Sequence, residues 1–189
     1  MSQQFKIQEV AKTYEFCRPH IKKFRTALDI GCDEFMFAGA LEKDFEHVYC
    51  FDFRNKSSQM RSAINDISKI TFHHTGLGET ADIRYTKSGV GRIKTDQPQG
   101  NSTLAVPIVP LDSFKLFNDI DFIKIDVEGY EPQVLRGSKK TIESSWPVIL
   151  CEINRGDFAA KELLEEMGYR CVDVYHKLGK PHDYLFIKD

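Results

Sequence analysis

The chain lacks any apolar run long enough to cross a bilayer, and no signal-peptide pattern opens it, so no membrane partner is expected. It lacks a metal-type cysteine pattern. Its five cysteines, Cys17, Cys32, Cys50, Cys151 and Cys171, include no CxxC pair and no zinc spacing. Cys50, Cys151 and Cys171 lie inside apolar strand-like runs, where the expectation is buried reduced thiols and hence a cytoplasmic protein. It lacks a basic surplus: the net charge is -2, with acidic and basic residues interspersed, which argues against nucleic acid as a partner. Internal repeats and inter-domain linkers are missing too. The 189 residues are therefore read as one domain over 26–189 with a helical segment, 1–25, packed on it. A full GxGxxG is absent, so a pyrophosphate cradle is poorly supported.

What is present is ample core material, including fourteen Phe, arranged as alternating helices and strands. Ile7, Val10, Ala11 and Tyr14 fall at helical spacing, predicting an amphipathic helix over 5–16 that Pro19 ends. Thr26–Ile30 is a strand. A helix over 34–43 follows, with Phe37, Leu41 and Phe45 spaced four apart. His47–Phe53 is a second strand, and Met60, Ala63, Ile64 and Ile67 form the stripe of the next helix. Lys69–Thr75 is a third strand. Helix followed by β-α-β-α-β implies an α/β protein with a doubly wound, mostly parallel sheet and helices on both faces. Residues 83–86 and 104–109 read as extended pieces around a long Gly- and Pro-rich loop, 88–103, which is either a plain connection or a substrate lid. Strands at 121–126 and 147–153 and a helix marked by Ala160, Leu163, Leu164 and Met167 come next. Two final strands, 169–176 and 183–188, are joined through Leu178–Pro181 as a hairpin, which makes the last strand antiparallel.

Candidate chemistry gathers at strand ends, where open α/β sheets bind ligands. Leu28-Asp29-Ile30-Gly31 closes the first strand, and glycine there permits close backbone approach to a ligand. Asp52 closes the second, at the spacing from Gly31 where an acidic residue accepts both hydrogen bonds of a ribose diol. Together they suggest an adenosine-containing cofactor. S-adenosylmethionine, which has no phosphate, fits the missing glycine fingerprint. The run Phe122-Ile123-Lys124-Ile125-Asp126-Val127-Glu128-Gly129 ends a buried strand in charges, with Lys124 and Asp126 on one face. Burying a lysine beside an aspartate is costly unless they pair, so this is either a site or a structural ion pair.

With Asp29-x-Gly31 and Asp52, three further stretches, Val109-Pro110-Leu111-Asp112-Ser113, Lys124–Gly129 and Cys151-Glu152-Ile153, resemble the FkbM family of S-adenosylmethionine-dependent methyltransferases. The resemblance implies a single Rossmann-like class I methyltransferase domain whose seven-stranded sheet has an antiparallel last strand. It implies an enzyme methylating a hydroxyl oxygen of a saccharide or other small molecule. It places Asp29, Gly31, Cys32, Asp52 and Phe53 at S-adenosyl-L-methionine, and Asp126, Glu128, Lys124 and Glu152 at the catalytic centre, with no metal assigned. A base that takes the acceptor's proton would be Asp126, Glu128 or Glu152, with Lys124 orienting Asp126. The same three carboxylates also suit Mg²⁺. Two positions depart from the family: Asp33 stands where Asn is usual, a mild change, and Phe35 stands where a second glycine is usual, so either the loop takes another path or the ring crowds the cofactor. Phe35 keeps open a degenerate fold serving as a binding module. An NAD-dependent oxidoreductase is the other alternative. Of the histidines, His73 and His74 end the third strand near the cofactor edge.

Overall fold

The computed structural model describes residues 3–87, 103–116, 119–154, 156–176 and 182–188. Residues 88–102, with Arg92 and Lys94, and the connection 177–181 lie outside the described residues.

Helix α1 (Gln3–Cys17) and a short 3-10 turn at Pro19 lead into β1 (Thr26–Ile30), α2 (Met36–Leu41), β2 (His47–Asp52), α3 (Ser57–Ala63) and β3 (Ile70–His74). β4 (Gly76–Leu77), β5 (Asp82–Lys87) and β6 (Thr103–Val109) follow. Then come β7 (Ile120–Ile125), α4 (Glu131–Arg136), α5 (Lys139–Ser145), β8 (Val148–Ile153), α6 (Ala159–Glu166), β9 (Arg170–Tyr175) and β10 (His182–Ile187). The main sheet has seven strands in the order β3-β2-β1-β7-β8-β10-β9. β10 is inserted antiparallel between β8 and β9, and the pairs from β3 to β8 are parallel. The anticipated reversal of the last strand is therefore present. The extended pieces at 83–86 and 104–109 belong to a separate three-stranded sheet, β4-β6-β5, beside the main one.

Side-chain alternation along each strand splits the core into two layers. Leu28, Ile30, Ile123, Ile125, Ile149 and Cys151 face α4, α5 and α6. Ala27, Phe122, Val48, Cys50, Leu150 and Leu185 face α1 and α2. The helical segment at the start seals the second layer with Tyr14, Cys17 and Ile21, and the Tyr14 hydroxyl donates to Asp44 at 2.7 Å. The cysteines are free thiols, four of them buried, and burial pushes the Cys17 and Cys151 thiols well up, which makes them unreactive.

Two helical stripes need correction. Ile7 is 53% exposed, so the buried part of α1 starts further on, at Thr13 and Tyr14. Ile67 is 46% exposed because α3 stops at Ala63. The buried Glu42 carboxylate accepts the N–H groups of Asn65 and Asp66, both at 2.7 Å, and so draws the chain out of the helix.

Candidate functional site

The C-terminal ends of β1, β2 and β7 converge on one cleft. Its walls are Ile30 and Gly31 from β1, Phe51 to Arg54 after β2, Thr75 to Leu77 around β4, and Asp126, Val127, Glu128 and Tyr130 after β7. Gly31 has a φ of +83°, and a Cβ there would lie 1.8 Å from the Asp126 carbonyl oxygen. Its glycine is thus demanded first by protein: the loop after β1 presses directly on the end of β7. The Asp126 N–H donates to the Ile30 carbonyl at 2.9 Å and completes that junction.

Asp29 and Cys32 are both fully or almost fully buried and do not reach the cleft wall. Asp29 points from β1 into the layer under α2, opposite Lys124 in the β1–β7 register. The Lys124 ammonium lies 3.5 Å from Asp29 and 3.4 Å from Asp126, over the Phe37 ring. Burial alone would lower the pKa of Lys124, but Asp126, Asp29, Asp183 and Glu152 together raise it well above its ordinary value. Burial raises the Asp29 carboxyl, and Lys124 opposes that shift. Lys124 is therefore a fixed cation, and the expected pairing with Asp126 is real but shared. Glu152 sits at the end of β8, paired in register with Asp183 of β10, on the Lys124 side of the sheet and away from the cleft wall.

The loop after β7 is held from within. Buried Glu131, the first residue of α4, accepts the N–H groups of Val127 at 3.1 Å and Gly129 at 3.0 Å. Burial raises its pKa, and the loop N–H groups oppose that shift. This tether leaves Glu128 exposed on the cleft rim at φ +57°. Asp33 and Phe35, in the loop after β1, also have positive φ, +41° and +61°. Such non-glycine residues cost about 1–3 kcal/mol each and persist where the surroundings over-determine them, commonly at functional sites. Phe35 occupies its glycine-like backbone position by turning away from the cleft: it is fully buried against Phe72, ring centroids 5.1 Å apart. The loop takes the other path, and the ring does not crowd the cleft.

At the far wall, the Asp52 carboxylate receives four donors. Asp33 N–H binds at 2.9 Å and Arg54 N–H at 2.7 Å, while the Arg54 guanidinium adds Nε at 3.1 Å and Nη2 at 3.0 Å. That guanidinium also lies 5.5 Å from the Phe53 ring centroid and reaches Asp33 through Nη1 at 3.1 Å. The His74 ring nitrogen contacts the Phe53 carbonyl at 2.8 Å, while His73 stacks on Phe51. Arg54, Tyr130 and the Thr75–Leu77 turn are cleft residues that sequence reasoning missed. The position of Arg54 beside an acidic strand end was the one available signal.

The cleft holds only ≈ 40 Å³. A larger cavity of ≈ 520 Å³ lies between α1, α2 and α3, bounded by Ile7, Met36 and Ala63, but none of the strand-end carboxylates reaches it. Among the described residues, no group of three or more His, Cys, Asp or Glu has the geometry to hold a metal ion, and no helix is long and apolar enough to cross a membrane.

The strand order, with β10 reversed and inserted, is that of the Rossmann-like class I methyltransferase sheet, and solved methyltransferases share it. The family model described as the methyltransferase FkbM domain matches residues 14–171, and the chain belongs to that family. An FkbM methyltransferase from Methylobacillus flagellatus KT is 19% identical with a TM-score of 0.60, over 86% of this chain and 43% of that one. The chain thus spans under half the length of that relative. The N-methyltransferase NodS from Bradyrhizobium japonicum WM9 is 11% identical with a TM-score of 0.60, over 99% of this chain and 98% of that one. M. capricolum TrmK, solved with S-adenosyl-homocysteine, is 13% identical with a TM-score of 0.55, over 100% of this chain and 68% of that one. A search of curated proteins found no match.

Proposed function

We propose that the chain is an S-adenosylmethionine-dependent methyltransferase acting on a hydroxyl of a saccharide or other small molecule. The observation that carries this is the convergence of Gly31, Asp52 and Asp126, from three adjacent parallel strands, on one cleft. Asp52 and Phe53 give that cleft a carboxylate acceptor for a ribose diol and a flat aromatic face for a purine, the two features an adenosine requires. When bound, the cofactor supplies a methyl group on a sulfonium. The protein's part is alignment and proton removal. Asp126 and Glu128 both stand on the cleft wall and are the base candidates. Lys124 positions Asp126 from below, and Glu152 acts through the charge cluster around Lys124. Glu131 fixes the loop that carries Glu128.

Titration calorimetry with S-adenosylhomocysteine tests this reading. Binding is expected, and Asp52→Ala is expected to weaken it at least tenfold. Absence of binding at millimolar ligand sinks the proposal.

A further inference from the structure

Resting on that cofactor reading, we infer that Arg54 is a built-in competitor of the nucleoside, closing the cleft by making the contacts an adenosine would make.

A carboxylate offers about four lone-pair positions, and in Asp52 all are taken. Two go to backbone N–H groups, of Asp33 and Arg54, which belong to the loop and stay. The other two, one on each oxygen, go to Nε and Nη2 of the Arg54 side chain. A ribose diol brings two O–H donors, so the acceptor positions it needs are those Arg54 now fills. The guanidinium carbon also lies 5.5 Å from the Phe53 ring centroid, in cation–π range of the ring face a purine would use. The cleft's ≈ 40 Å³ is far below the roughly 300 Å³ at which small-molecule sites begin. Adenosine and the Arg54 side chain therefore exclude one another.

Displacement is feasible. The Arg54 side chain is about one-third exposed, at 32%, and Nη1 already rests on Asp33, where Lys56 also binds. Rotation outward keeps the Asp33 contact and releases Asp52. Asp33 stands where the family resemblance expects Asn, and its carboxylate supplies a charged anchor for the displaced guanidinium.

The test compares wild type with Arg54→Ala, Arg54→Gln and Arg54→Lys in calorimetric titrations with S-adenosylhomocysteine and with adenosine alone. Thermal melts confirm that each variant folds. Ala and Gln are expected to bind both ligands about two- to fivefold tighter than wild type, the range a partly exposed ion pair converts to. Lys, unable to make the two-pronged contact to Asp52, is expected to fall between. Rising salt should narrow the gap, because it screens the competing pair. Unchanged or weaker binding in folded variants, with wild type binding, overturns the competitor role and leaves the cofactor reading intact. A gain seen with S-adenosylhomocysteine but not adenosine also overturns it, since the effect would then lie at the amino-acid end. If neither wild type nor variants bind either ligand, the cofactor reading falls and the competitor role with it.

Discussion

Two aspartate–cation pairs close the ends of neighbouring strands, and they differ in what surrounds them. At β1, Asp29 is fully buried and its partner Lys124 comes from the adjacent strand β7, with an 11% exposed side chain. At β2, Asp52 is 3% exposed but its partner Arg54 lies two residues on and is 32% exposed. The first pair is locked by sheet register and by the apolar layer under α2. The second can open by side-chain rotation alone. The difference separates scaffold from proposed site: charges shared between β1 and β7 hold the middle of the sheet together, while the local pair at the rim is the one we infer gives way to a ligand.

The hardest way to break the first pair is Lys124→Met. It leaves Asp29 buried without its cation, and a loss of about 3–5 kcal/mol in chemical denaturation is expected. Next is the loop joining the two pairs. Phe35→Gly relieves a left-handed backbone but empties a fully buried ring site, so a net loss of about 2–3 kcal/mol is expected from urea melts. Against these, Arg54→Ala is expected to change stability by no more than about 1 kcal/mol, because Asp52 keeps two backbone donors. An Arg54→Ala loss as large as that of Lys124→Met would erase the distinction.

The smallest effect belongs to a third, exposed pair, Arg18–Asp44. Arg18, with Tyr14, holds the Asp44 carboxyl below its ordinary value in the folded state. Its stabilisation is thus complete above the unfolded carboxyl pKa, about 4, and is lost as pH falls through the lower folded value. Wild type and Asp44→Asn should therefore differ slightly near neutrality and converge in thermal melts as pH falls below about 4.

The strands were legible in the sequence because alternation and turn residues are local properties. β1, β2, β7, β8 and the reversed β10 stand close to the ranges expected. Asp52 and Asp126 were legible as cleft residues for the same reason, each closing an apolar run. Asp29 was not, since its direction depends on which strand face α2 covers. Ile67 was misread because Glu42, far back in the chain, captures the N–H groups after Ile64. Asp112, part of the family-like Val109–Ser113 stretch, turns out to hold the start of α5 through the N–H of Thr141 at 2.8 Å.

The sequence by itself determined the β-α alternation, the two-layer core and the strand-end positions of Gly31, Asp52 and Asp126. Each rests on periodicity or on a residue type at a turn, and both are set by near neighbours. Only the tertiary structure decided that Asp29 turns inward to Lys124, that Phe35 joins the core, and that Arg54 covers Asp52. Those outcomes depend on strand register, on the space left between layers, and on competition among charges for the same carboxylate oxygens.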